Sequence, residues 1–118
     1  MLKIETSFYP FRMKLAHKEP VQLKVNIRNM GNEDVLASYD VVVSRAMSLD
    51  KGGFKTSVNK RLGNLQPGQT IEEYYEIFPK YMSDAGKYPV MVKATEHYQN
   101  YNFVKNEYKK KLDLPVED

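Results

Sequence analysis

The side chains that could catalyse a reaction or hold a metal are few in this chain and widely spaced. The sequence has two histidines, His17 and His97, and no cysteine. The lack of cysteine excludes thiol catalysis, disulfides and cysteine-based zinc sites. Both histidines lie in loop-like stretches without the spacing of metal ligands, so we expect them to be exposed to solvent. No Ser, His and Asp arrangement and no paired-carboxylate arrangement is recognisable. The sequence therefore predicts no enzyme, no metal site and no cofactor.

Tyrosine is the residue type best suited to a binding role, since the chain has nine tyrosines and five phenylalanines. Exposed tyrosines contact sugars or proteins well because they combine a large surface with few rotatable bonds. The other interpretation, which we favour for most of these rings, is that they fill the core of the fold. The candidate contact residues are Tyr74, Tyr81, Tyr98 and Tyr101.

A basic segment lies near the end of the sequence, where Lys109, Lys110 and Lys111 follow Tyr108. Lysines interleaved with aromatic residues are one way of binding single-stranded nucleic acid. A charged outer face on an edge strand is the simpler explanation. The formal net charge of +3 is also too small to require a polyanionic partner. Nucleic acid is therefore the weaker alternative.

The elements that must position these side chains are strands. Between Val21 and Ile27, apolar residues alternate with polar ones, which is typical of an antiparallel strand with one buried face. Gln66-Pro67-Gly68-Gln69 has proline and glycine where a type II turn requires them. Turn signals between strands indicate an all-β sandwich and not alternating strands and helices. The strands predicted by pattern are Lys3–Phe8, Val21–Ile27, Leu36–Ala46, Phe54–Asn59, Tyr88–Ala94 and Phe103–Leu114.

The segment Thr70–Phe78 is ambiguous. Its apolar residues fit one helical face, and Thr70 with Glu73 matches a capping box. Pro79 ends the segment at a length that is marginal for a helix, and its Ile, Tyr and Phe content suits a sheet. We favour a strand, with a bulge, because either strand frame puts a glutamate among the apolar residues. Glu72, Glu73 and Glu76 are explained equally well as a functional cluster or as a solvated face.

Asp84-Ala85-Gly86-Lys87-Tyr88 comes directly before an alternating strand. Asp-x-Gly-x-Tyr in this place resembles the tyrosine corner of immunoglobulin-like sandwiches, in which the tyrosine packs inward and its hydroxyl bonds the backbone just upstream. Asp84, Gly86 and Tyr88 are the predicted structural corner. Loss of the Tyr88 hydroxyl should then leave a backbone partner unsatisfied and cost ~1–3 kcal/mol.

Three motifs follow one another along the chain, within Val25–Gly31 (VNIRNMG), Leu65–Gln69 (LQPGQ) and Gly86–Val92 (GKYPVMV). The series resembles the CARDB-like family of small archaeal and bacterial domains, named for a link to cell adhesion. It is also similar to related modules appended to glycosidases and surface proteins. The resemblance implies an immunoglobulin-like antiparallel β-sandwich of six to eight strands with Greek-key connections. It also implies a binding or spacer module.

We expect residues 1–118 to form a single domain with a loose tail over 115–118, since chains of this length usually fold as one unit. No stretch approaches the ~20 apolar residues that span a bilayer, and the first residues lack a signal-peptide core. We therefore expect no membrane insertion, with a cytoplasmic location for a full-length chain or a cell-surface location for a piece of a longer one.

The predicted function is a non-enzymatic binding or spacer module. Its expected partner is a protein, including a second copy of the chain through an edge strand. The first alternative is a carbohydrate bound by exposed tyrosines, and the second is single-stranded nucleic acid bound by the C-terminal lysines.

Overall fold

The computed structural model describes residues 1–17, 19–80 and 84–118. Within them the chain forms nine strands and one 3₁₀ turn, Leu15–His17. Seven of the strands have eight or more residues, in agreement with the six to eight expected. The strands are β1 (Leu2–Tyr9), β2 (Met13–Lys14), β3 (Val21–Asn29), β4 (Val35–Val43), β5 (Met47–Ser48), β6 (Ser57–Leu65), β7 (Thr70–Pro79), β8 (Gly86–His97) and β9 (Val104–Glu117).

The strands form two sheets. The four-stranded sheet has the order β1-β3-β7-β5, and the five-stranded sheet has the order β2-β9-β8-β4-β6. Paired strands run antiparallel except for the short contact of β2 with β9, which is parallel. Two sheets that enclose one apolar core form a β-sandwich. The predicted all-β immunoglobulin-like class is confirmed.

Alternating residues of both sheets supply the core. In β3, every second residue from Val21 to Ile27 is at most 1% exposed. From the other sheet, β4 contributes Tyr39, which is fully buried and forms a hydrogen bond between its hydroxyl and that of Tyr75 in β7. The two rings meet edge to face with their centroids 6.3 Å apart. Burial of each large apolar side chain stabilises the fold by about 1.5–3 kcal/mol. The apolar side chains at alternate positions of the strands therefore hold the two sheets together.

The ambiguous segment is a strand. β7 pairs with β3 along its length without a register shift, so the bulge predicted there is wrong. Register shifts occur instead in the β4–β6 and β8–β9 pairs. Glu73 lies in the inward-facing frame of β7, but the strand borders the open side of the sandwich, where this carboxylate forms an ion pair with Lys60 of β6. The ion pair explains why a glutamate is accepted in that frame.

Two of the motifs that carried the family resemblance contact each other. Asn29, at the end of the first motif, is fully buried and donates hydrogen bonds to the carbonyl oxygens of Glu33 (2.8 Å) and Leu65 (2.9 Å). Its own side-chain oxygen accepts a hydrogen bond from the backbone N–H of Gly31 at 2.9 Å. The backbone N–H of Gly68, in the second motif, donates to the Asn29 carbonyl at 2.8 Å. Asn29 therefore ties the β3–β4 turn to the β6–β7 turn.

The turn between β6 and β7 has the predicted geometry. Gly68 has a φ of 79°, a value that favours glycine, and the N–H of Gln69 donates to the carbonyl of Gln66 at 2.9 Å.

Several predicted boundaries are wrong. The strand expected over Leu36–Ala46 ends at Val43, and the one expected over Tyr88–Ala94 extends from Gly86 to His97. The edge strand expected over Phe54–Asn59 begins only at Ser57 and continues to Leu65, because Asp50 Oδ1 accepts the N–H groups of Phe54 and Lys55 and holds them in a turn. The tail expected to be loose belongs to β9, where Val116 is 4% exposed and pairs with β2.

Candidate interaction surface

The β8–β9 loop folds across the outer face of the five-stranded sheet. Three side chains on this outer face are buried although the face is otherwise turned to solvent. Ser38, Thr95 and His97 are 5%, 4% and 9% exposed. His97 Nε2 lies 2.7 Å from Ser38 Oγ, and Nδ1 lies 3.2 Å from the carbonyl oxygen of Phe103. The expectation that His97 is exposed is therefore wrong, whereas His17 is exposed.

Tyr101 is the centre of the loop's contact with the sheet. Its ring meets the His97 ring edge to face at 5.1 Å, and the guanidinium carbon of Arg61 lies 4.6 Å from the Tyr101 ring centroid. The Tyr101 hydroxyl accepts a hydrogen bond from the N–H of Gly63 at 2.8 Å. These contacts hold the loop to β6 and β8. The hydroxyl and the ring of Tyr101, a candidate contact residue, are thus engaged in contacts within the fold.

The Ser38–His97 pair has the hydrogen-bond distance of a nucleophile and its base. In the described part of the chain, however, the second ring nitrogen of His97 faces a backbone carbonyl and no carboxylate. Ser38 also lies beneath the loop. The pair therefore anchors the loop and does not form an accessible nucleophile.

The tip of the loop and the start of β9 are apolar and exposed. Tyr98, Phe103 and Val104 are 62%, 55% and 51% exposed. The N–H of Tyr98 donates to the carbonyl of Phe103 at 3.1 Å, which keeps the two rings on the same short loop. These residues form an apolar start to the edge of the five-stranded sheet.

β9 has an open edge over most of its length. It pairs with β8 from Val104 to Val116, but its other neighbour, β2, reaches only Val116 and Glu117. Residues from Val104 to Pro115 thus have a strand on one side only within the described structure. We call this stretch the β9 edge. An unpaired row of backbone N–H and C=O groups is a template for another strand.

The β9 edge is basic. Lys105, Lys109, Lys110 and Lys111 are exposed, and none forms an ion pair with a described residue. Lys109 and Lys111 pair across from residues on the outer face of β8, whereas Lys110 lies opposite the buried Val92. The three predicted lysines therefore do not share one face, although all three border the same edge.

Beside the lysines, the outer face holds a shallow groove of about 330 Å³. The carboxylate of Asp40 accepts a hydrogen bond from the Asn59 amide at 2.8 Å. The Lys93 ammonium lies 3.8 Å from the other oxygen of the same carboxylate. The groove has two lysines, Lys93 and Lys109, and one carboxylate, Asp40, so its lining is net positive. Its lining residues are Asp40, Val42, Ser57, Met91, Lys93 and Lys109.

The inner side of the same strands contains a buried carboxylate that sequence reasoning missed. Glu96 is 3% exposed and is bonded by the Met1 amino group at 2.8 Å and by Asn106 and Tyr108, both at 3.1 Å. Burial by itself would raise the pKa of Glu96, but these hydrogen bonds and the positive amino group outweigh it, so its pKa lies below the usual 4.5. Glu96 thereby connects the first residue to β8 and β9.

The remaining predicted tyrosines lie elsewhere. Tyr74 is 52% exposed and projects from the four-stranded sheet, on the opposite side of the sandwich, next to Lys24. Tyr81 lies outside the described residues. The candidate tyrosines Tyr74, Tyr98 and Tyr101 therefore form no common platform.

β7 also has an open edge, and it is acidic. Its second neighbour, β5, reaches only Phe78 and Pro79. Glu72 forms an ion pair with Lys24 at 2.8 Å, and the hydrogen bond from Lys24 lowers the pKa of Glu72. Glu76 is exposed and forms no ion pair with a described residue. The stretch from Thr70 to Ile77 is called the β7 edge below.

The predicted corner has its expected hydrogen bond. Tyr88 Oη donates to the carbonyl oxygen of Asp84 at 2.6 Å, and Gly86 between them has a φ of 154°. The Tyr88 ring packs against the core, but Asp84 is exposed. The importance of the corner for stability stays a prediction.

Two kinds of site are absent from the described residues. They contain no group of three or more His, Cys, Asp or Glu side chains that could hold a metal ion. They also contain no helix that is long and apolar enough to cross a membrane.

Comparison with known proteins supports the fold alone. No protein-family model matches the sequence, and no curated protein matches it. Among solved structures, the chain is similar to self-complemented MyfA, the major subunit of Myf fimbriae from Yersinia enterocolitica. The TM-score is 0.58 and the identity 12%, over 98% of this chain and 99% of that chain. The likeness extends over the whole sandwich, while the narrower CARDB-like assignment has no matching family model.

Proposed function

We propose that this chain is a non-enzymatic binding or spacer module that associates with protein, including its own copies, through the β9 edge. The observation that carries the proposal is that no described strand lies on the second side of β9 from Val104 to Pro115. A strand added there would gain backbone hydrogen bonds along the edge, and its side chains would meet the exposed residues of β9.

Three further observations support a binding role. The polar cluster around His97 is used to hold a loop, which leaves it unsuited to chemistry. The similar solved structure is the major subunit of a fimbria, which is an assembly of protein subunits. The resemblance to CARDB-like domains, which we retain as part of the proposal, points to adhesion-related modules.

A carbohydrate-binding role is the second candidate. It is favoured by the exposed rings of Tyr98 and Phe103, which lie on one loop. Tyr98→Ala should then abolish binding on a glycan array while leaving the unfolding midpoint unchanged. If the folded parent chain binds no glycan on the array, the carbohydrate-binding role is contradicted.

The protein-binding proposal is tested by amide hydrogen exchange at rising protein concentration. Outward-facing amides of an open edge exchange quickly and become protected when a strand pairs with them. We expect slower exchange at alternate residues from Lys105 to Leu112 as the concentration rises from micromolar to millimolar. The matched control is the outer edge of β6, Ser57–Leu65, which is also open and should not change. Association without protection of β9 would contradict the proposal.

A further inference from the structure

We infer that the occupant of the β9 edge is the β7 edge of a second copy of this chain, so that copies join head to tail. This inference rests on the proposed function, because it names the partner for the edge that the proposed function uses. It is carried by the opposite charges of these two open edges.

Four long strands leave an edge open in the described structure: β1, β6, β7 and β9. Only β7 among them is acidic, since Thr70–Pro79 contains three glutamates and no lysine or arginine. β1 has one lysine and one glutamate, and β6 has one lysine and one arginine with no acidic residue. The stretch Val104–Leu112 of β9 has four lysines and one glutamate.

These charges disfavour some pairings and favour one. Two β9 edges side by side would bring lysines against lysines, and β9 beside β6 would do the same with Lys60 and Arg61. Like charges directly opposite each other destabilise a strand pair, whereas opposite charges stabilise it. β7 is the edge in this chain whose glutamates match the lysines of β9.

The matching charges are available. Lys109 and Lys111 form no ion pair with any described residue, and neither does Glu76. Glu72 is held by Lys24 at 2.8 Å but remains on the exposed outer face of β7. Tyr74 between these glutamates is 52% exposed and adds ring surface at the same edge.

The two edges lie on opposite sides of the sandwich. β7 packs over β4 and β6, as the Tyr39–Tyr75 ring contact and the Lys60–Glu73 ion pair indicate. β9 lies at the other end of its sheet, facing β1. A contact between two different surfaces on opposite sides leaves one free edge at each end, so it extends into an open chain of copies and does not close as a two-fold dimer.

A charge-swap experiment tests the inference. One variant carries Lys109→Glu and Lys111→Glu, and the other carries Glu72→Lys and Glu76→Lys. Sedimentation velocity is measured at low salt for the parent, for each variant and for an equal mixture of the two. The parent should form concentration-dependent oligomers, which weaken as salt is added. Each variant alone should sediment as a monomer, because its two edges then carry the same sign, and the mixture should associate again.

The matched control for the β9 variant carries Lys51→Glu and Lys55→Glu, which makes the same change in net charge in the exposed β5–β6 connection. It should associate like the parent. Circular dichroism and unfolding midpoints show whether each variant is folded. If loss of the Lys24 ion pair unfolds the double β7 variant, Glu76→Lys alone replaces it, since Glu76 forms no ion pair with a described residue.

The outcomes separate this inference from the proposed function. If the β9 variant loses association but the β7 variant keeps it, the β9 edge is the binding surface and β7 is not its partner. A mixture that stays monomeric also overturns the β7 pairing. A parent chain that stays monomeric, and binds a single-stranded oligonucleotide through Lys109 and Lys111, overturns both. The head-to-tail contact is supported only if each variant alone is monomeric and the mixture of the two associates again.

Discussion

Asn29→Ala should lower the free energy of unfolding by about 3 kcal/mol. The side chain makes three hydrogen bonds, to Glu33, Leu65 and Gly31, at 2.8, 2.9 and 2.9 Å. Each is worth about 1 kcal/mol net, and loss of the buried amide removes all three at once. The sum is a large part of the ~5–15 kcal/mol by which a domain of this kind is stable.

Asn29→Asp should destabilise the chain more than Asn29→Ala at neutral pH. The aspartate keeps an acceptor for the N–H of Gly31 but faces the carbonyl oxygens of Glu33 and Leu65 with negative charge where two N–H donors stood. Burial and these oxygens would raise the pKa of the introduced carboxyl in the folded state. The folded form then binds the proton more readily, so the deficit of this variant should shrink as the pH falls.

Urea denaturation followed by far-ultraviolet circular dichroism measures both effects. With m near 1–3 kcal/mol/M, a loss of about 3 kcal/mol moves the midpoint by roughly 1–3 M. Asn26→Ala is the matched control, since Asn26 lies on the same strand, is less buried and makes no side-chain hydrogen bond with a described residue. The reasoning is refuted if Asn29→Ala and Asn26→Ala have the same midpoint, or if acid increases the deficit of Asn29→Asp.

Three further substitutions test single contacts. Tyr88→Phe should cost about 0.5–1.5 kcal/mol, centred lower than the range expected from sequence, because the carbonyl of the exposed Asp84 can bond water instead; a larger loss in urea denaturation would mean that this carbonyl is shielded. Thr6→Val should leave stability unchanged or raise it by up to ~1 kcal/mol, since the buried Thr6 hydroxyl has no hydrogen-bond partner in the described structure; a clear drop in the thermal midpoint would reveal a partner. Because the pKa of Glu96 is lowered on folding, its contribution is present above about pH 4.5 and is lost as the pH falls through its folded value. Glu96→Gln should therefore lower stability at neutral pH and converge on the parent in acid, whereas a pH-independent gap between the two denaturation midpoints would contradict this.

Most of the fold could be read from local patterns. The alternation in β3 predicted its buried face, and proline and glycine at Gln66–Gln69 predicted the turn that the Gly68 backbone adopts. These signals depend on residues next to each other in the chain. For β7 the local signals were divided between a helix and the strand that we favoured, and the segment is a strand paired with β3 from Thr70 to Ile77. A strand whose backbone groups are paired by a neighbour gains more than a short isolated helix.

The surface was predicted less well than the fold. The lysines of β9 were identified, but their separation onto two faces depends on the register with β8. His97 looked like a loop residue because nothing local indicates that Tyr101 folds back over it. The tail looked loose because its partner, β2, is a two-residue strand about a hundred residues earlier in the chain.

What the sequence determined by itself is the class of the fold: which side chains alternate inward, where the turns are, and that the core consists of two sheets. What only the tertiary structure decided is which edges stay open, which charges remain unpaired there and which polar residues are covered. The physical reason is that side-chain period and turn chemistry are properties of neighbouring residues. An open edge, by contrast, exists where no other strand pairs with it, and this depends on the position of every other strand in the fold.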